Sequence, residues 1–512
     1  MGLPLKPDLK EFARLARTGL RVPVWVELIE DEITPISALK SFIEEPGCFL
    51  LESVIAGEKV GRYSFLGMSP QLTFTARGEK ARIEDHAGGE VRETSGRVVE
   101  TLRGIINQNR TARPEGCPSF CGGAVGYFGY EFAGQLEGLP LHPNHTVCPD
   151  VYLMFYDSVY IFDHLKRSVM FLTNLDAGRA YRESGDQGIN RLYLQAEQKI
   201  MSMIERLIDS GGRGSRMQPI FPNLPSEERP ERIQSNLEPE QFCRLVEQAK
   251  EHISAGDIFQ IVLSQRFSVG TTASGLELYR ALRLVNPSPY MFYLNCRDFE
   301  IIGSSPEAHV KLESGRASIR PIAGTRRRGG GRAADQELAA ELLADEKERA
   351  EHIMLVDLAR NDLGRVCDYG TVQVEELMAV EFYSHVMHIV SNVTGRLREG
   401  EDALSLICST FPAGTLSGAP KIRAMELIAG LETTPRGPYA GALGYISFHG
   451  DLDTAIVIRT MVRAGDQVSF QVGAGIVADS IPLNEHLEIR HKSQAMVSAL
   501  NLLEVSHHDL DN

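Results

Sequence analysis

Pro321-Ile322-Ala323-Gly324-Thr325 runs directly into Arg326-Arg327-Arg328 and then the glycine run Gly329-Gly330-Gly331. Proline fixes one φ, glycine lets backbone approach a neighbour closely, and Thr325 places a hydroxyl beside the arginines. These residues describe a mobile lip for an anion. They describe a solvated basic loop equally well, because consecutive arginines name no substrate by themselves.

Working outward, composition bounds the chain. Its 512 residues exceed a typical domain, and 43% apolar content is enough for large cores. No run of about 18 uncharged apolar residues suggests a membrane span. The start, Met1-Gly2-Leu3-Pro4-Leu5-Lys6, meets charged residues too soon for a secretory signal, so a cytoplasmic location is expected. A formal charge of −15 argues against nucleic acid, whose phosphates need a basic face. Eight scattered cysteines suit a reducing compartment rather than a disulfide scaffold. Cys117, Cys121, His142, His145 and Cys148 carry zinc-ligand atoms, but their spacing matches no common zinc pattern and Pro118, Pro143 and Pro149 interrupt it.

Residues 209–237, rich in Gly, Pro, Ser and Arg, read as a connector between an N-terminal domain, 1–225, and a catalytic domain, 236–500. Residues 150–156 and 158–162 have strand composition, and a helical pattern follows over 191–208. The Gly-rich segments 122–128 and 440–446 echo one another, consistent with closely packed strands. Regular strand-helix alternation is absent, so the expected class is α+β, with layered antiparallel sheets and outer helices.

Chemistry concentrates in the second part. A helix-like run over 334–363 places Glu348 and Glu351 on one face, and a second carries Glu485, Glu488 and Lys492. Two carboxylate pairs suit a magnesium ion, although acidic helix faces are also common on surfaces. Glu307, in the turn Gly303-Ser304-Ser305-Pro306-Glu307, is either a turn-capping acid or a proton donor with a raised pKa. Gln260 lies in an alternating, strand-like run, and residues 413–421 form a Gly-rich turn before a helix.

Together these segments resemble the chorismate-utilising enzymes over nearly the whole chain, and within them the anthranilate synthase component I branch. The branch making 4-amino-4-deoxychorismate has a nucleophilic lysine where this sequence has Ala323. Water-using relatives carry a lysine base at Gln260, whereas a neutral amide hydrogen-bonds ammonia instead. The resemblance implies catalytic roles for Glu307, which assists loss of the C4 hydroxyl, for His388, which supports pyruvate elimination, and for Gln260. It implies substrate contacts at Gly324, Thr325, Thr415, Tyr439, Arg459, Gly473, Ala474, Gly475 and Lys492, and Mg2+ at Glu351 and Glu488.

Leu50-Leu51-Glu52-Ser53 and Asn286-Pro287-Ser288-Pro289-Tyr290-Met291-Phe292 resemble the segments that bind feedback tryptophan, implying a site at Glu52, Ser53, Pro289, Tyr290, Met291 and Tyr445. The expected activity is conversion of chorismate and ammonia to anthranilate and pyruvate, the first step of tryptophan biosynthesis. The alternative is 4-amino-4-deoxychorismate synthesis for folate. No Gly-flanked nucleophilic cysteine marks a glutaminase, so a separate glutamine amidotransferase subunit, and hence a hetero-oligomer, is expected.

Overall fold

Strands buried on both faces read as unbroken apolar runs. Gly123–Phe128 and Val151–Tyr156 are of this kind, with every residue buried, and Ser168–Leu175 is buried throughout although it includes Ser168, Thr173 and Asn174. In the computed structural model, which describes residues 2–53, 61–96, 98–142, 146–213, 220, 232–382 and 386–508, such runs occupy the interior of two 12-stranded sheets.

One sheet begins with Val22–Ile29, Ser168–Leu175, Ser158–Asp163, Tyr63–Gly67 and Phe49–Glu52. It continues through Tyr290–Asn295, Glu300–Ser305, Thr460–Ala464, Gln467–Ile476, Gln260–Gly270 and Gln234–Ser235. The other orders Ile322–Arg327, Val386–Arg396, Arg316–Ile319, Ala308–Glu313, Leu452–Ile456 and Ala442–Ser447 beside Gly123–Phe128, Val151–Tyr156, Leu72–Arg77, Lys80–Asp85 and Glu90–Ser95. The N-terminal and C-terminal parts therefore join within each sheet. At one junction Met291 pairs with Glu52, and at the other Gly444 pairs with Gly126. The two echoing glycine-rich segments are thus adjacent antiparallel strands.

The sheets meet across an aromatic core that includes Phe49, Phe65, Phe120, Tyr127, Tyr152, Tyr156 and Phe292. Buried Tyr152 and Tyr156 donate to the carbonyls of Cys296 and Gly47 at 3.1 and 2.5 Å, so their hydroxyls bind the halves together at no unmet polar cost. Helices cover the outside: Pro482–His508 packs on Pro239–Ser254, Gly275–Val285 and the strand Gln467–Ile476. This is the expected α+β arrangement.

Three local details differ from the sequence pattern. The run over 334–363 is two helices, Arg332–Ala344 and Glu346–Gly364, because Asp345 leaves helical geometry and caps the second by accepting from Lys347 N and Glu348 N. The helix read over 191–208 extends over Ala177–Arg213 and contains non-helical Gly185. Gln234–Ser235, within the anticipated connector, is a short strand; connector residues 214–219 and 221–231 lie outside the described residues, as do Pro143, His145, Ser384 and His385.

Candidate active site

The chain crosses between the sheets twice at one place. Glu307 lies where Glu300–Ser305 of one sheet passes to Ala308–Glu313 of the other, and Arg459 lies where Leu452–Ile456 returns to Thr460–Ala464. The crossings are tied by Ile456 N donating to Glu307 O at 3.0 Å and Ser304 N donating to Arg459 O at 3.1 Å. Arg459 has a φ of 49°, a left-handed conformation uncommon for a non-glycine residue. Its guanidinium donates to Asn286 Oδ1 at 3.2 Å, and burial lowers its pKa without threatening its charge.

Burial pushes the Glu307 carboxyl up to about 7, against the opposing influence of Thr415, Lys492 and Arg459. A carboxyl protonated near neutrality beside an arginine and a lysine has the makings of a proton donor to an anionic substrate. Thr415 Oγ1 is buried without a well-aligned hydrogen bond among the described residues. Lys492 reaches from the helix Pro482–His508 to Gly473 O at 3.1 Å and Glu488 at 2.6 Å. Gly473 is required by close approach: a Cβ there would lie 2.5 Å from Tyr439 Oη and 2.9 Å from Leu263 O. Ala474 is buried on the same strand, and Gly475 faces the Gln260 amide, whose nitrogen would lie 2.8 Å from an added Cβ.

Glu351 and Glu488 approach from different helices. Burial, followed by the charges of Glu348 and Glu488, raises the Glu351 pKa. Burial and Glu488 likewise raise that of Glu485. The acids therefore crowd one another, with Lys347 and Lys492 nearby and Arg326 3.4 Å from Glu348, a donor set suited to a hard divalent cation. Among the described residues no three His, Cys, Asp or Glu side chains form a chelating group, so an ion would have to draw remaining ligands from water or substrate.

His388 pairs with Thr325 across the strands Ile322–Arg327 and Val386–Arg396. Its Nδ1 lies 3.0 Å from Gly324 O and 3.1 Å from Thr325 Oγ1. Because the carbonyl only accepts, Nδ1 carries the proton, and Nε2 is the basic nitrogen of the neutral ring. Burial lowers the His388 pKa. The bulge between Ala323 and Thr325 is made by Gly324 at φ 63°. Arg326 and Arg328, readable in sequence as an anion-binding lip, are instead paired with Asp345 at 3.1 Å and Asp335 at 2.6 Å.

A second constellation sits at the sheet junction. Tyr290 donates to Asp453 at 3.1 Å, and Tyr445 donates to Ser119 at 3.0 Å. Met291 is buried and pairs with Glu52, Pro289 precedes Tyr290 and Met291 on the chain, and Ser53 Oγ is buried with no partner among the described residues. The Glu52 carboxylate accepts from Tyr279 at 2.6 Å and lies 3.4 Å from Arg283.

Sequence reasoning missed the clamp that holds these parts. Buried Arg436 donates to both Glu432 oxygens at 2.8 and 2.7 Å and to Leu416 O and Val262 O at 2.7 Å. It thereby fixes the Gly414–Leu416 turn against the strand Gln260–Gly270. Its only sequence signal is the i,i+4 acid-base spacing, which is common on surfaces.

A family profile described as chorismate binding enzyme matches residues 48–498. The chain is 45% identical over 495 residues to anthranilate synthase component 1 of Acetivibrio thermocellus, covering 96% of this chain and 98% of that protein. It is 42% identical over 510 residues to the Aquifex aeolicus protein of the same name, covering 98% and 99%. Among solved structures, anthranilate synthase component I from Streptococcus pneumoniae TIGR4 is similar at a TM-score of 0.73 and 34% identity, with 92% of this chain and 98% of that one covered. A menaquinone-specific isochorismate synthase from Escherichia coli shares the fold at a TM-score of 0.67 and 18% identity, with coverage of 96% and 98%.

Proposed function

The chain belongs to the chorismate binding enzymes, and from that premise we propose that it is the aminase component of an anthranilate synthase, converting chorismate and ammonia to anthranilate and pyruvate. The observation that carries the reading is Glu307, with a pKa raised to about 7, standing at the sheet crossing beside Arg459, Thr415 and Lys492. Ala323 lacks the amine that the 4-amino-4-deoxychorismate branch uses, which disfavours that product.

Gln260 accepts a hydrogen bond from ammonia and aims its lone pair at C2, while Glu307 gives its proton to the departing C4 hydroxyl, which leaves as water. Arg459 and Tyr439 hold the enolpyruvyl carboxylate, the arginine through a planar two-pronged contact. Thr415 and the Gly324-Thr325 bulge contact the ring, and the backbone of Gly473, Ala474 and Gly475, with Lys492, receives the ring carboxylate. Neutral His388 then supports elimination, in which C2 loses a proton, the C3–O bond breaks, and the departing enolpyruvate takes up a proton at its methylene carbon to leave as pyruvate. Glu351 and Glu488 would hold Mg2+, whose charge steadies the ring carboxylate as the ring becomes electron-rich. The crowding that raises the Glu351 pKa supports this assignment.

The Glu52–Ser53 and Pro289–Met291 segments, with Tyr445, bind tryptophan as feedback inhibitor. Asn286, just ahead of Pro289, holds Arg459, so an inhibitor that shifts its strand reaches a substrate contact directly. Ammonia comes from glutamine through a separate amidotransferase subunit, and the hetero-oligomer works in the cytoplasm. No helix of the described residues is long and apolar enough to cross a membrane. The acid is tested by Glu307→Gln: turnover should fall by roughly two to four orders of magnitude with chorismate still bound, and undiminished turnover would remove Glu307 from the mechanism.

A further inference from the structure

Tyr439, the proposed partner of the enolpyruvyl carboxylate, sits on a turn that is held from both parts of the chain. Gly437, at φ 61°, lets two successive main-chain N–H groups converge, a concavity suited to an anion. The buried Glu131 carboxylate fills it. Its Oε1 accepts from Arg436 N at 2.6 Å and its Oε2 from Gly437 N at 2.9 Å. Glu131 comes from the N-terminal part, just ahead of the short helix Phe132–Glu137, and its neighbours dock on the same turn. Tyr130 N donates to Gly437 O at 2.8 Å, and a Cβ on Gly129 would lie 2.9 Å from that oxygen. Past Tyr439 the second anchor belongs to the catalytic part: Ala440 N donates to Val457 O at 3.0 Å, and Val457 N to Gly441 O at 2.9 Å.

The two acids around Arg436 divide the work. Glu432 and the carbonyls of Leu416 and Val262 hold its guanidinium, whereas Glu131 holds its main-chain N–H. Burial raises the Glu131 pKa to about 7, and the Arg436 and Gly437 N–H groups oppose that rise. At alkaline pH the carboxylate is charged, and both of its oxygens are in charge-assisted hydrogen bonds. The turn has little slack beyond them. The Arg436 guanidinium lies 4.5 Å from the ring centre of Tyr130 and 5.7 Å from that of Tyr439. At its far end the Tyr439 hydroxyl comes within 2.5 Å of where a Cβ on Gly473 would stand, so a shift of the turn moves it relative to the strand Gln467–Ile476.

We propose that Glu131 is a positioning residue of the substrate site: by gripping Arg436 N and Gly437 N it sets where the Tyr439 hydroxyl stands, so that the N-terminal part contributes to chorismate binding. The inference rests on the reading of Tyr439 as a substrate contact. Glutamine at position 131 would offer one acceptor and one NH2 donor to two N–H donors, leaving one N–H unpaired against another donor. The turn is then anchored only from the Val457 side, and the hydroxyl loses its place.

The test is a double-mutant cycle on the full chain at alkaline pH, read as KM for chorismate, with hydrogen exchange of the main-chain amides measured beside it. Glu131→Gln should raise KM roughly tenfold, the factor that one hydrogen bond to a charged acceptor carries, while kcat holds. Exchange at Arg436 and Gly437 should accelerate. Tyr439→Phe should raise KM by itself, and the double variant should be no worse than the worse single variant, because both changes remove the same contact. Multiplying effects would show that Glu131 acts by another route and overturn the proposal, as would an unchanged KM in Glu131→Gln or unchanged exchange at the two amides. Glu131→Asp, which keeps the charge but shortens its reach by one methylene, carries the same cycle if Glu131→Gln does not fold. If Tyr439→Phe has the KM of wild type, the substrate reading of Tyr439 fails, and exchange reports separately whether Glu131 holds the turn.

Discussion

Glu307 carries a cost that its proposed role explains. Its folded pKa of about 7 lies above the ordinary 4.5, so the protonated form fits the fold better than the charged one. The sign follows from linkage: its contribution to stability is complete below the unfolded value near 4.5 and is lost as pH rises through about 7. Glu307→Gln, neutral at every pH, should therefore melt higher than wild type at pH 8, by roughly 1–2 kcal/mol after allowance for partial solvent access. The advantage should vanish near pH 4, and a thermal scan at both pH values checks it. Equal melting at pH 8 would mean that the carboxyl is not strained there. The residue itself was legible in sequence only through family resemblance, since a Pro-bounded acid also caps ordinary turns. What makes it acidic chemistry rather than capping, its place between two sheets, comes from contacts far along the chain.

At the scale of elements, the carboxylates separate from the acid in phenotype. Glu351→Gln or Glu488→Gln should raise the Mg2+ concentration for half-maximal activity about tenfold or more, because each removes an anionic oxygen from a hard-cation site, whereas Glu307→Gln should leave it little changed. Magnesium titration of activity decides; unchanged dependence in both carboxylate variants would move the ion elsewhere. The Arg436 clamp is a second element-level claim. Glu432→Gln leaves a buried guanidinium without its counter-charge and should cost on the order of 3–5 kcal/mol by denaturant unfolding. A loss below about 1 kcal/mol would show the pair to be dispensable. Helical spacing revealed that Glu348 and Glu351 share a face, but it ran two helices together, because the capping role of Asp345 depends on backbone geometry that periodicity does not encode. Arg436 stayed hidden for a related reason: its spacing to Glu432 is that of any surface pair, and only burial sets it apart.

Across the whole molecule, the absence of strand-helix alternation made the α+β class legible, and the strand-like runs at 150–156 and 158–162 coincide with Val151–Tyr156 and Ser158–Asp163 to within a residue at each end. Which sheet each strand joins was not legible, since antiparallel pairing between Phe49–Glu52 and Tyr290–Asn295 links residues with no local signal of their partnership. That pairing puts the Glu52–Ser53 and Pro289–Met291 segments at a junction of the two parts, while the sheet crossings gather Glu307 and Arg459 at the proposed reacting centre. The account stands on what that centre makes. The decisive measurement follows the purified chain supplied with chorismate, Mg2+ and ammonium at alkaline pH, where more of the nitrogen is NH3, with products separated and identified. The account predicts anthranilate and pyruvate in equal amounts, and none from glutamine until an amidotransferase is added. Accumulation of 4-amino-4-deoxychorismate or isochorismate as the main product would contradict it.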